Sequence, residues 1–515
     1  MNVSMPLLEA LAGYAGGERL GFHMPGHQQG KALLSYFAAL LSKYGAALDV
    51  TELPGLDNLA AASDSIERSQ AALAELTGSR SVYYLVNGAT AGLEAAMLAM
   101  SSASIPTFMP AHCHTAIYNG LILSGSSPII MPCLADLQWG LPLGVDQGAA
   151  EAYFARESVL PEKALWVSVH PTYHGVPADL AWEKALLQTQ PDWGWLVDEA
   201  HGAHLPYVNR NEAGSTEIAD KQIMSALAYG AHVVVHSIHK MGAGFTQTAV
   251  LHNNQPALST KLNQALRLLQ SSSPSYLLLA SLDAWQAFLH LDGIEELRRT
   301  ENLANAAAAE IRALGAYRLW TDEIPAGYRT DPRKITLSSS ALGIQGLRLA
   351  DILRLEYGVD VEMASPDYVL FMINIGHSEA DVERLVMALK EIKDKKKAGN
   401  KAGNKVFAGD TGKRSYSRGL VSEVFRSGQK PLQPDIRPRE AYFMRRKMQR
   451  LDQATGCFAA GSVTPYPPGI PVLFPGMEIT AALVETIQTL KEEGYTCAGL
   501  VQEDERLFID VLDES

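Results

Sequence analysis

At 515 residues the chain exceeds one ordinary domain of roughly 100–200 residues and points to two to four. Hydrophobic residues make up 47% and charged residues 19%, with no apolar run near the ~20 residues that cross a bilayer, which excludes a membrane span. A net charge of -13 excludes broad nucleic-acid binding, whose affinity rests on basic side chains, and favours a small-molecule enzyme.

The N-terminal segment, 1–58, has no basic region followed by an apolar stretch, so it does not read as a secretion signal. The four cysteines, Cys113, Cys133, Cys457 and Cys497, lack metal or disulfide spacing. Together these predict a cytoplasmic protein.

Residues 59–300 alternate short apolar runs with helical patterns: SVYYLV at 81–86, ALWVSV at 164–169, GWLVD at 194–198 and HVVVHS at 232–237. This is the pattern of βα units around a mostly parallel sheet. Ligands of such sheets sit at the carboxyl ends of the strands, so NGAT, HPTYHG, DEAHGAH and SIHK are where chemistry is expected. A small αβ domain follows over 301–393. The Lys-, Gly- and Asn-rich stretch after it, with its AGNK duplication, reads as a linker over 394–429. A C-terminal αβ module over 430–515 contains TPYPPGIPVLFPG, too proline-rich for helix or central strand and therefore a rigid loop.

The strongest cluster is the run from Val233 to Gly244, a buried strand delivering Lys240 into a glycine-containing turn. A lysine there is one whose pKa is lowered to react as an amine with a carbonyl. Upstream, the strand GWLV ends in Asp198, and a buried carboxylate paired with such a lysine is what pyridoxal 5′-phosphate (PLP) requires, because the acid keeps the pyridine nitrogen protonated. The strand, turn and helix start at Leu85–Gly92 supply a phosphate seat from helix N–H groups and the Thr90 hydroxyl. His114, early in the same domain, offers an imidazole that either lies over the ring or serves as a structural histidine.

Two other readings fail on spacing. Asp198-Glu-Ala-His201 matches the DEAH box of helicases, but the nearest phosphate loop, Gly26 to Ala32, has three residues between its glycines and lacks the Ser or Thr that binds Mg²⁺. The pairs His23/His27, His112/His114 and His201/His204 form neither HExxH nor a usual zinc set, so no metal is expected.

Over nearly its whole length the sequence resembles the PLP decarboxylases of ornithine, lysine and arginine. The likeness is carried by HMPGH at 23–27, DVTELPGLDNL at 49–59, LVNGAT at 85–90, HPTYHGV at 170–176, LVDEAHGAH at 196–204, HSIHKMGAGFTQTAVLH at 236–252, SSPSYLLLASLD at 272–283, EAYF at 440–443 and PYPPGIP at 465–471. It implies an α/β protein with a fold type I, aspartate-aminotransferase-like large domain that decarboxylates a basic amino acid, lysine or arginine ahead of ornithine. Alternatives are transamination, another lyase reaction or a non-catalytic paralogue. It implies Lys240 as the Schiff-base lysine, Asp198 at the pyridine nitrogen, His114 on one ring face and Ala200 beneath the other. Ala89, Thr90, Ser237 and His239 would surround the phosphate, and His201 would lie near the ring. The sites would be shared in a homodimer or larger homo-oligomer, with Ser272 or Ser273 reaching the neighbouring subunit's phosphate.

Departures from the family pattern fall at Gln28 and Gln29, in Ala111–Ala116, and at Gly461, where relatives carry an acid. For the distal cation of a basic substrate, the candidate acids are Glu52, Asp57 and Glu440.

Overall fold

The computed structural model describes residues 4–157, 159–208, 222–401, 420–504 and 506–513. Its centre is a seven-stranded sheet. From one edge to the other run Ser81–Leu85, Ala249–Asn253, Val233–Ser237, Gly194–Asp198, Leu165–Val169, Thr107–Pro110 and Pro128–Met131. Every pairing is parallel except the two made by Ala249–Asn253.

The strands are apolar throughout because both faces are covered. Val233 and Val235 pack on one face with Leu93, Met97 and Leu196, whereas Val234 packs on the other with Trp166, Trp195 and Val197. The alanine-rich helix Gly88–Met100 lies close against the first of these faces. A Cβ on Gly92 would come within 2.4 Å of Leu85 Cδ1, so glycine is what permits this approach.

A smaller antiparallel sheet follows, in the order Arg318–Leu319, Lys334–Ser338, Val369–Met372 and Met363–Ala364. It is backed by the helices Ile294–Ala313, Gly346–Tyr357 and Glu379–Lys401. The N-terminal strand Leu20–Phe22 pairs in parallel with Val359–Val361, and Phe22 packs edge-on to Phe371 and stacks on His377. The helix that begins at Glu379 runs on to Lys401, so the expected linker starts inside a helix: its lysines at 395–397 continue the helix with good propensity even without an apolar stripe. Within that linker, 402–419 lies outside the described residues and 420–429 is described.

The C-terminal module combines the sheet Arg446–Arg450, Arg506–Leu512 and Val501–Glu503 with the helix Ala481–Glu492. Its Phe474, Leu473 and Val463 share a core with Tyr118, Ile117 and Cys113 of the large domain. That contact brings the proline-rich loop over the carboxyl ends of the central strands. Among the described residues no helix is long and apolar enough to cross a membrane.

Candidate active site

The carboxyl ends of the central strands, the HMPGH loop, the small sheet and the proline-rich loop enclose a cavity of about 650 Å³. This size suits a small cofactor with its substrate. Nine predicted residues line it together: Ala89, Thr90, His114, Asp198, Ala200, His201, Ser237, His239 and Lys240.

Lys240 sits in the short helix Ile238–Met241, directly after the strand Val233–Ser237. Burial pushes its amine below the ordinary lysine range, against the opposing charges of Asp198 and Glu362. The turn is fixed from outside by the HMPGH loop: Gly26 N–H donates to the His239 carbonyl at 2.8 Å. A Cβ on Gly26 would lie 2.3 Å from the Gly242 carbonyl oxygen and 2.9 Å from that of Lys240. Only glycine fits there.

Asp198 ends its strand buried, and its Oδ1 accepts from Ala200 N–H at 3.1 Å. Burial raises its pKa, with the Lys240 charge and the Ala200 N–H pulling the other way. Such a carboxylate is well matched to a cationic N–H partner. His114 caps the helix Thr115–Ser124 through its own Nδ1, which accepts from Ala116 N–H at 3.2 Å. Burial, then the Lys240 charge, pushes its pKa down to about 4, so the ring is neutral. The proline-rich loop holds it in place: Thr115 N–H donates to the Gly469 carbonyl at 3.0 Å, and Tyr466, Pro467 and Pro468 wall the cavity beside it.

At the start of the helix Gly88–Met100, Gly88 has φ +77°, a conformation that favours glycine. The Asn87 side chain does not cap this helix. First-turn N–H groups at Ala89 and Thr90 are thereby left for an anion, with Ser237 and His239 lining the same cavity. His239 is itself oriented by a 3.0 Å contact between its Nδ1 and the Thr248 carbonyl. An anion seat, a neutral ring, a buried carboxylate and a lysine of lowered pKa are the parts that PLP requires, and the residues fit it.

The remaining candidates lie elsewhere. Ser272 lines a separate cavity of about 230 Å³ with Glu52, Tyr83 and Arg267, not that of Lys240, because it follows the end of the helix Ser259–Leu269 on another side of the domain. Asp57 spends its carboxylate on the N–H groups of Asn58, Ser63, Asp64 and Ile66, which fixes the start of the helix Ser65–Thr77. Glu440 is exposed and lies 3.9 Å from Arg437. Gly461 adjoins Asp510 and does not line the cavity. Within one chain, then, none of the three acids proposed for a distal cation reaches the site.

Conversely, the site holds groups that the motifs did not single out. Tyr173 and His174 come from HPTYHGV, and Glu362 from the segment between Val359–Val361 and Met363–Ala364, while Lys334 of the small sheet touches His201 without lining the cavity itself. Lys334 Nζ lies 2.8 Å from His201 Nδ1 and donates to the Tyr173 carbonyl at 3.1 Å. Glu362 accepts from the Tyr173 hydroxyl and, at 2.9 Å, from Met24 N–H.

The model of the Orn/Lys/Arg decarboxylase major domain matches residues 5–323, and that of the C-terminal domain of the same family matches 419–505. An arginine decarboxylase of Bacillus subtilis is 27% identical over 500 residues, covering 96% of this chain and 95% of its own. The constitutive lysine decarboxylase of Escherichia coli is 22% identical, covering 93% and 76%. The solved structure of that lysine decarboxylase superimposes with a TM-score of 0.73 at 19% identity, over 99% of this chain and 82% of the other. A serine palmitoyltransferase of Sphingomonas wittichii gives 0.51 at 18% identity, over 70% and 83%, as expected for fold type I. With the site geometry and the matched family models in agreement, the chain belongs to the Orn/Lys/Arg decarboxylase family and is a PLP-dependent decarboxylase of a basic amino acid.

Proposed function

We propose that the amino acid decarboxylated is arginine. The observation that carries this reading is length together with identity. Relatives named arginine decarboxylase, from Bacillus subtilis and Bacillus anthracis, are 27% and 28% identical and are covered over 95% and 94% of their length. Those named lysine decarboxylase, from Escherichia coli and Pseudomonas aeruginosa, are 22% identical and covered over 76% and 74%.

In this reading Ala89 and Thr90 hold the phosphate through N–H and hydroxyl groups, with Ser237 and His239 beside it. His114 and Ala200 flank the ring. Asp198 holds the proton on the ring nitrogen through a charge-assisted hydrogen bond. When bound, PLP supplies an electron sink for the bond to the substrate carboxylate. Lys240 would hold the cofactor through its amine and would supply the proton that returns to the substrate carbon. The proline-rich loop and the HMPGH loop exclude water from these steps.

The protein acts as a homodimer or larger homo-oligomer in the cytoplasm. Support for a second copy comes from the helix Pro6–Ala15, which buries none of its residues and exposes Leu7, Leu8 and Leu11. The separate cavity at Ser272 is where a partner's phosphate would be met. Support for the compartment comes from the four cysteines, all unpaired.

The test is to incubate the purified holoenzyme with arginine, lysine and ornithine separately and to measure both CO₂ and the amine product. Arginine is expected to give the highest kcat/KM. Turnover of lysine or ornithine with none of arginine overturns the substrate assignment.

A further inference from the structure

His201 stands between two lysines. Its Nε2 lies 2.9 Å from Lys240 Nζ, and its Nδ1 lies 2.8 Å from Lys334 Nζ. Lys334 is 1% exposed and comes from the strand Lys334–Ser338 of the small sheet, so the bridge joins the small sheet to the cofactor lysine.

Counting protons constrains this bridge. A neutral imidazole offers one N–H and one lone pair, and an ammonium only donates. Two ammonium groups would each need an acceptor, and the ring has one. An imidazolium would need two neutral amines. Burial and the two flanking lysines push His201 far below the ordinary histidine range, which removes that case. The contacts therefore close with one ammonium, one amine and a neutral ring.

The surrounding charges leave the choice between the two lysines open. Asp198 and Glu362 face Lys240 with His114 and His239. Asp331 and Glu362 face Lys334 with His174 and His204. Asp331 is already engaged by His204 at 2.9 Å and Arg333 at 3.2 Å, and Glu362 is shared by both sides.

We propose that Lys334 and His201 form a proton relay that switches Lys240 between amine and ammonium. Lys334 gives a proton to His201 Nδ1 while the Nε2 proton passes to Lys240. N–H bonds break at Lys334 and Nε2 and form at Nδ1 and Lys240. The ring ends neutral in its other tautomer, one positive charge has moved from Lys334 to Lys240, and no further reactant is consumed. Lys334 acts through His201 and is a positioning residue rather than a catalytic one. The proposal rests on the reading of Lys240 as the cofactor lysine, which must be an amine when it joins the cofactor and a proton donor later in the cycle.

The test uses the full-length chain freed of cofactor. Lys240 is labelled with an amine-specific acylating reagent across a pH series, and the modified peptide is quantified by mass spectrometry. In Lys334→Met the shared proton stays on Lys240, and the labelling midpoint is expected to rise by ~1 pH unit or more. In Lys334→Arg the guanidinium cannot release its proton but still donates to Nδ1. The midpoint there is expected to stay at or below that of the unsubstituted chain, while kcat of the holoenzyme falls at least ~10-fold in both variants. His201→Gln cuts the bridge without touching Lys334, and its midpoint is also expected to rise; it serves if the Lys334 variants fail to fold. Midpoints within ~0.3 unit of the unsubstituted chain in Lys334→Met or His201→Gln overturn the relay, as does full kcat in Lys334→Arg. Borohydride trapping of PLP in the unsubstituted holoenzyme, mapped to its peptide, separates failure of the relay from a wrong choice of cofactor lysine.

Discussion

Gly26→Ala tests whether the HMPGH loop sets the position of Lys240. The new Cβ would lie 2.3 Å from the Gly242 carbonyl oxygen and 2.9 Å from that of Lys240. Both are backbone atoms, so no side chain can swing away, and the loop or the lysine-bearing turn must move. Overpacking of this kind costs ~1–3 kcal/mol, and losing the Gly26–His239 hydrogen bond adds ~0.5–1.5 kcal/mol. A loss of ~2–4 kcal/mol in unfolding free energy is expected from urea titration. A shift of the turn by even ~1 Å should also lower kcat by ~10²-fold, with less effect on KM. Unfolding free energy within ~0.5 kcal/mol of the starting protein and unchanged kcat for Gly26→Ala would refute the reasoning.

Asp198→Asn is expected to keep some cofactor but lose at least ~10²-fold in kcat, because the ring nitrogen loses the charge that stabilises the developing carbanion; steady-state kinetics at saturating PLP decide it. Gly469→Ala places a methyl 3.0 Å from the His114 ring at a φ of +85°, and visible absorbance titration should show PLP bound ~10-fold more weakly. Burial pushes twelve histidines down, among them His112, His114, His239 and His377 to about 4 and His174 and His236 to about 3. Between pH ~6.5 and ~4 the unfolded chain takes up protons at these sites that the folded one refuses, so stability should fall on acidification. Burial raises Glu183 to about 8 and Glu199 and Glu493 to about 7, and lifts Glu94 and Asp198 above the ordinary carboxyl range, which works in the opposite sense above pH ~4.5, but these five groups do not offset the twelve histidines. Denaturant midpoints that stay level or rise from pH 6.5 to 4.5 would contradict this balance.

What could be read from the sequence was what lies contiguously at strand ends. Lys240, Asp198 and the Gly88–Thr90 turn each follow an apolar run directly, so local pattern alone brings them to one edge of a parallel sheet. Lys334 has no such signal. It opens the strand KITLS, where a lysine ordinarily points to solvent, and it is buried because another domain's His201 meets it there. Glu362 is hidden for the same reason, since its partners Met24 and Tyr173 are distant in the chain. Asp57, an acid in a conspicuous motif, holds a helix start through the N–H groups of Asp64 and Ile66, the structural use that such a residue ordinarily has.

The parallel pairing of Leu20–Phe22 with Val359–Val361 also has a bearing on biosynthesis. During translation at ~5–20 residues per second the first strand leaves the ribosome on the order of tens of seconds before the strand it pairs with is made. Throughout that interval Phe22 lacks Phe371 and His377, and Met24 lacks Glu362. The central sheet, by contrast, has all its strands by Asn253. The nascent chain thus holds Lys240 just past the end of a sheet that can already form while the loop that pins its turn is still without a mooring, which leaves the cofactor to be taken up in its final geometry only after the small sheet has emerged.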